Sequence, residues 1–307
     1  MTRVAAIDCG TNSVRLLIAD LADGTLTDVE RRMEIVRLGQ GVDRTGRLAP
    51  EALDRTFAAM RGYRKLIDQH GAVATRVVAT SATRDAANRD EFVAGVREIF
   101  GVEPEVVTGG EEAQLSFTGA TRELGEGAGG GPYLVVDIGG GSTEFVVGER
   151  SAEGAISVDI GCVRLTERHL KDAGDPPGAG ALEAVVADIE AALDRVADTI
   201  PVGQATTLVG LAGSVTTVAG IALGLAEYDP ERIHHSKIAA PQVHEVTRSL
   251  LAMTHDERAA LGVMHPGRVD VIGAGALILD RIVRRFGFGE VVVSEHDILD
   301  GIAWSLA

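Results

Sequence analysis

Between two short apolar runs, LVV and FVV, the stretch Tyr133 to Gly148 reads YLVVDIGGGSTEFVVG: an acid, three successive glycines, a Ser-Thr pair and a second acid. Two paired strands need only a two-residue turn, so this much polar and flexible sequence implies that something approaches the backbone closely. Gly139, Gly140 and Gly141 allow backbone N–H groups to converge on an anion, and Ser142 and Thr143 add hydroxyl donors. Asp137 and Glu144 flank the loop and suit a divalent cation, held directly or through water against phosphate oxygens. A solvated hairpin would account for the glycines alone. It does not account for their recurrence: laid over Asp137, Gly139 and Ser142 are Asp8, Gly10 and Ser13, with Leu16 to Ile18 over Phe145 to Val147. The pattern reads as an internal repeat with a phosphate clamp in each copy.

A third segment, Gly210 to Gly220, GLAGSVTTVAG, puts Gly213, Ser214, Thr216 and Thr217 between a strand and a helix whose first N–H groups could meet an anion. Small residues at such a junction serve equally as a packing solution.

The remaining composition bounds the function. A net charge of -16, from 29 Lys and Arg against 45 Asp and Glu, argues against broad nucleic-acid binding. It leaves room for a local anion site, because close interactions outweigh a screened net charge. At 307 residues and 45% hydrophobic content the chain can build one large or two medium domains. Its apolar stretches are far shorter than a membrane span and its start, MTRVAAIDCG, lacks a signal peptide's apolar segment, so the expected location is the cytoplasm. Cys9 and Cys162 lie far apart without a CxxC partner and read as small buried residues, neither a disulfide nor a zinc site.

The elements that must position these residues alternate as an α/β pattern. RVAAIDCG and SVRLLIADL read as strands with Asp23-Gly24 turning between this region and a further strand; Pro50 to His70 has helical periodicity, stopped by Gly71; TRVVATSA is a strand; NRDEFVAGVREIFG is a helix. A glycine-rich break, Gly125 to Pro132, divides residues 1–124 from residues 125–307. After it the programme restarts with strand, glycine loop and strand, and closes in two helices. Two such lobes would face each other across a cleft with a phosphate clamp on either side.

Seven segments in order, AIDCGTNSVRLLIA, ATSATRDAANRDEF, TGGEEAQLSFTGA, VVDIGGGSTEFVVGE, IGCVRLTE, LAGSVTTVAG and RVDVIGAGALIL, resemble the exopolyphosphatase and guanosine pentaphosphate phosphatase (Ppx/GppA) family. That resemblance implies a duplicated actin-like ATPase fold, ribonuclease H-like, of the actin, sugar kinase and Hsp70 superfamily, with the last helix packing back on the first lobe. The chain ends directly after the two-lobed core, so it is expected to be a short form without the C-terminal accessory domain of longer relatives. The resemblance also implies roles. Glu112 falls where the family has its catalytic base; Asp137, Glu144 and, in the first lobe, Asp8 fall on metal-associated acids; Arg84 falls on an arginine that meets phosphate. Asn12, Ser13, Gly139, Gly140, Gly141, Ser142, Gly213 and Ser214 match phosphate-contacting loops. The implied cofactor is Mg2+ or another divalent cation such as Mn2+.

Hydrolysis of a phosphoanhydride suits these residue types independently: it needs an aimed water and neutralised charge, and little covalent work by the protein. Glu111 and Glu112 would point about 100° apart in a helix, so only one can serve, and Glu111 reads as a helix-start acid. His234, His235, His255, His265 and His296 are scattered without metal-pair spacing, and Arg268 and Asp270 fit an ion pair or cap, with Arg268 also a candidate phosphate contact.

Three functions compete. The first is an exopolyphosphatase that removes the terminal phosphate of inorganic polyphosphate. The second cleaves the 5′ γ-phosphate of guanosine pentaphosphate, and the 4% aromatic content leans away from a nucleoside pocket. The third is a non-catalytic polyphosphate or alarmone sensor, which would have no need of Glu112, Asp137 and Glu144 together. The partners are thus polyphosphate or guanosine pentaphosphate, with no nucleic acid and no membrane; a homodimer is compatible with the sequence and not specified by it.

The acidic balance generates a prediction about chain length. Distant units of a polyanion gain affinity only from a basic track, so each phosphate beyond the clamp should add little. With length-fractionated polyphosphates at equal end concentration, kcat/KM per chain end is expected to fall or plateau with length, with product intermediates visible on a gel. Efficiency that rises with length, or full-length substrate vanishing without intermediates, would reveal a basic channel.

Overall fold

The computed structural model describes residues 1–122, 124 and 129–307. Contacts divide the chain into one unit of Met1–Gly119 with Ile298–Ala307 and a second of Ala120–Asp297. The expected boundary at 124/125 abuts residues 125–128, which lie outside the described residues, as does residue 123.

The first unit is built on a sheet of β1 (Thr2–Cys9), β2 (Ser13–Ala22), β3 (Thr25–Ile35), β4 (Ala74–Ala79) and β5 (Glu105–Val106), in the order β3-β2-β1-β4-β5. β1 and β2 form a hairpin and β4 lies parallel to β1. The Asp23-Gly24 turn joining β2 to β3 has φ of 52° and 77°, the paired left-handed geometry that this dipeptide tolerates in a tight hairpin. Alternate residues of β1 serve opposite faces: Ala5, Ile7 and Cys9 join the core under the helices Pro50–His70 and Arg89–Phe100, which contribute Leu53, Met60, Tyr63, Phe92 and Val96. Val4 and Ala6 face a second core filled by the helix Ile298–Trp304 through Ile298, Leu299, Ile302 and Trp304. Burial on both faces explains why the strand reads as a continuous apolar run.

The C-terminal helix also touches the helix Gly109–Thr121, which carries Glu112. A Cβ at Gly301 would fall 2.0 Å from the Leu115 carbonyl oxygen, so the absence of a side chain there lets two backbones meet.

The second unit repeats the plan with β6 (Tyr133–Ile138), β7 (Thr143–Gly148), β8 (Ala152–Val158), β9 (Thr207–Leu211), β10 (Lys237–Ala239) and β11 (Glu290–Val293). Its order, β10-β11-β9-β6-β7-β8, read from the far end as β8-β7-β6-β9-β11, reproduces that of the first sheet, with β10 added antiparallel at the edge. β9 runs parallel to β6 as β4 does to β1, and β11 parallel to β9 as β5 does to β4. The helices Ala179–Thr199, Ala212–Ala222, Ala240–Ala252 and Ile272–Phe286 supply its core, among them Ile189, Val215, Val246 and Ile278. The chain is thus a duplicated α/β fold, the same strand order recurring in each unit. Among the described residues no helix is long and apolar enough to cross a membrane.

Candidate functional site

The two hairpins superpose in register. Asp8 pairs with Arg15 across β1 and β2, and Asp137 pairs with Glu144 across β6 and β7. Each turn closes with the same bond: Gly10 N–H donates to the Ser13 carbonyl at 3.0 Å, and Gly139 N–H to the Ser142 carbonyl at 3.0 Å.

In the first unit Asp8, expected on the metal, is ion-paired. Arg15 Nε and Nη2 both donate to its Oδ2, at 2.9 and 2.7 Å, and the carboxylate is buried. Sequence reading did not single out Arg15, although the overlay that aligns the acids sets it over Glu144. The turn carbonyls are taken from outside: Gly39 N–H donates to Thr11 O, and Val36 and Arg37 N–H to Asn12 O. Because a peptide is planar and trans, this sends the N–H groups of Asn12 and Ser13 the opposite way. The Thr11 hydroxyl meets Ser81 Oγ at 2.9 Å and Thr80 N–H donates to Cys9 O, which fixes the short helix Ser81–Asp85 beside the hairpin.

Arg84 stands on that short helix. Its Nη1 donates to Glu112 Oε2 at 3.0 Å and to the Val107 carbonyl at 3.1 Å. The Glu112 carboxylate is buried, only 7% exposed as a residue, yet compensated by this charge-assisted bond. Its neighbour Glu111 is used differently. Thr108 and Glu111 form a reciprocal cap at the start of the helix: Thr108 N–H and hydroxyl donate to Glu111 Oε2 at 2.8 and 2.9 Å, and Glu111 N–H donates back to Thr108 Oγ1. The bonds from the Thr108 backbone and hydroxyl hold the Glu111 carboxyl below its ordinary value of 4.5.

In the second unit the glycine loop is anchored by the turn after β8. Cys162 N–H donates to Gly139 O at 3.0 Å, Val163 and Arg164 N–H to Gly140 O at 2.9 and 3.0 Å, and Arg164 Nε to Gly141 O at 2.6 Å. The approach is close enough that a Cβ on Gly161 would fall 2.3 Å from Gly140 O. Three successive carbonyls are thus drawn one way, and the N–H groups of Gly140, Gly141 and Ser142 point the other. Among the described residues none of these three amides donates to a protein carbonyl. Asp137 and Glu144, both buried, share one face of the hairpin, and Ser157 Oγ donates to Glu144 Oε1 at 2.7 Å.

The third segment forms the expected junction of β9 with the helix Ala212–Ala222. Ala212 sits there at φ 67°, a left-handed conformation that a non-glycine residue rarely adopts. Arg268 lies on Gly213: a Cβ there would be 2.3 Å from its guanidinium carbon, so the cation is brought to this helix start. The Ser214 side chain packs against Gly275, where a Cβ would be 2.1 Å from its Oγ, and bonds the Cys162 thiol. Burial raises that thiol and the Cys9 thiol, so both cysteines sit as buried, protonated groups.

The histidines, scattered in sequence, are partly gathered in space. His234 stacks on His235 at 3.7 Å between ring centroids and lies 4.5 Å from His296. Among the described residues no cluster of three or more His, Cys, Asp or Glu side chains is arranged to hold a metal.

Residues 17–307 match the Ppx/GppA phosphatase family. Exopolyphosphatase 2 of Mycobacterium tuberculosis is 50% identical over 320 aligned positions, spanning 100% of this chain and 99% of its own. The crystal structure of an exopolyphosphatase-like protein matches with a TM-score of 0.95 at 42% identity, covering 99% of this chain and 98% of that one. The guanosine-5′-triphosphate,3′-diphosphate pyrophosphatase of Aeromonas salmonicida is 29% identical over 98% of this chain and 59% of its own.

The Glu111 cap has a pH signature. Folding lowers its pKa, so its stabilising contribution is in place above about pH 4.5 and disappears as the pH falls through the lowered value. Glu111→Ala is expected to melt below the wild type at pH 7, with the gap closing in acid. A gap that does not change between pH 7 and pH 3 would show that the carboxylate is not the stabilising group.

Proposed function

The chain belongs to the Ppx/GppA phosphatase family, and from that premise we propose that it is an exopolyphosphatase, hydrolysing the terminal phosphoanhydride of inorganic polyphosphate, preferentially in short chains. The observation that carries this reading is the division of labour between adjacent glutamates. Glu111 closes the helix cap, while Glu112 is buried and fixed by Arg84 through one oxygen. Its carboxylate is the proposed acceptor of a proton from the attacking water. The water then adds to the terminal phosphorus as the bond to the leaving oxygen breaks, and the shortened chain departs with that oxygen. Arg84 orients the base through its charge-assisted bond and is proposed to offer further donors to the transferred phosphoryl group.

The proposed phosphate donors of the first unit are the backbone amides of Asn12 and Ser13; those of the second are the amides of Gly140, Gly141 and Ser142, the helix start at Gly213 and Ser214, and the Arg268 guanidinium. Asp137 and Glu144 suit a divalent cation of the Mg2+ type. Like charges opposite one another on a hairpin cost free energy that such an ion offsets. Mg2+ takes one or two carboxylates and completes its shell with water and substrate phosphate, so two hard oxygen donors suffice. When bound, it would neutralise charge on the phosphates. Asp8, held by Arg15, is assigned to organising the first hairpin rather than to binding the ion.

The second reading, removal of the 5′ γ-phosphate of guanosine pentaphosphate, uses the same groups and is favoured by the Aeromonas relative. The exopolyphosphatase relative matches over nearly its whole length at higher identity, which favours polyphosphate.

Phosphate release from polyphosphate, guanosine pentaphosphate and ATP, with and without Mg2+, tests both. Polyphosphate is expected to give the highest kcat/KM, dependent on the cation, and Glu112→Gln to lower kcat by about 100- to 10,000-fold while still binding substrate. A folded Glu112→Gln with near-wild-type kcat, or preference for guanosine pentaphosphate, would overturn the corresponding part.

A further inference from the structure

The three carbonyls of the glycine loop are not held alike. Those of Gly139 and Gly140 are held by backbone N–H groups, whereas that of Gly141 accepts from a side chain, Arg164 Nε, at 2.6 Å. At the matching place in the first hairpin, the Asn12 carbonyl is held by two backbone amides, Val36 and Arg37. The Gly141 carbonyl and the Ser142 N–H belong to one planar peptide, so whatever orients the first orients the second. A guanidinium on the carbonyl also polarises that peptide and strengthens the opposite N–H as a donor.

We propose that Arg164 is a positioning residue for the substrate phosphate: by clamping the Gly141 carbonyl it aims the Ser142 end of the glycine loop, both N–H and hydroxyl, at a phosphate oxygen. Arg164 itself acts from the far side of the peptide. Its backbone N–H already serves Gly140, so one residue sets the orientation of two consecutive loop peptides. This inference rests on the reading of the glycine loop as a phosphate clamp.

The test is a double-mutant cycle at positions 164 and 142, run on Glu112→Gln protein so that the ligand is bound and not hydrolysed, and read by calorimetric binding of inorganic tripolyphosphate with Mg2+ on variants whose fold is checked by circular dichroism. Arg164→Ala is expected to weaken binding about tenfold, as loss of a charge-assisted bond would. Arg164→Lys should lose less, because an ammonium can still reach the carbonyl. Ser142→Ala should weaken binding by itself but add little in the Arg164→Ala background, since the hydroxyl is then already misaimed; Asn12→Ala, in the other hairpin, should keep its full effect. Undiminished binding in folded Arg164→Ala, or Arg164 and Ser142 effects that multiply independently, overturns the assignment. If Arg164→Ala does not fold, the same cycle with Arg164→Lys decides. Wild-type protein that binds tripolyphosphate without releasing phosphate would refute polyphosphate hydrolysis and leave the cycle decisive for Arg164; wild-type protein that does not bind it refutes both.

Discussion

A trans peptide is flat, so a carbonyl drawn one way sends the following N–H the other. Both hairpins depend on this constraint. A tight polar turn left to itself would present carbonyls and amides indiscriminately and would repel an anion as much as attract it. Here the carbonyls of Thr11 and Asn12 are tied down by the segment after β3, and those of Gly139 to Gly141 by the turn after β8. The amides are thereby sorted onto one side without any net positive charge, an arrangement that suits an anion even in a protein of charge -16. The glycines matter for the same reason: Gly161 admits the Gly140 carbonyl at a distance no side chain would allow.

What the duplicated hairpins do not share is the residue facing the aspartate. A carboxylate buried at a strand end is costly unless compensated. In the first copy the cross-strand partner is Arg15, which meets Asp8 at 2.7 Å and leaves a charge-balanced pair. In the second it is Glu144, which turns the same position into a pair of carboxylates. One duplicated scaffold therefore yields an internally neutral hairpin and an anionic one. The anionic copy suits a cation that bridges to phosphate, and the neutral copy sits on the unit that carries Arg84 and Glu112.

Much of this was legible in the sequence because it depends on local pattern. The hairpins, the glycine loops, the helix Pro50–His70 with its Gly71 stop, and the duplicated α/β order follow from apolar runs and turn residues, and all are present. Arg15 was legible too, since it lies over Glu144 in the overlay that reveals the repeat, but an arginine in an apolar strand carries no chemical pattern by itself. Other features depend on contacts distant in sequence. β10 spans three residues, too few for any period, and is a strand only because β11 pairs with it. The capping role of Glu111 follows from Thr108 three residues earlier, a signal present in the sequence. The hold of Arg84 on Glu112, 28 positions apart, and the Arg164 clamp on Gly141, 23 apart, become visible only when the chain is folded. The approach of His234 to His296, 4.5 Å between ring centroids, is likewise a product of strand order.

The two copies of one hairpin are proposed to divide their work, with the ion on the Asp137–Glu144 side and not on Asp8. Mn2+ binding followed by electron paramagnetic resonance, in the presence of inorganic phosphate, tests it directly on folded Asp8→Asn, Asp137→Asn and Glu144→Gln. Loss of Mn2+ affinity in Asp137→Asn and Glu144→Gln, with Asp8→Asn close to wild type, is the predicted result. Affinity lost in Asp8→Asn and kept in the other two would contradict it.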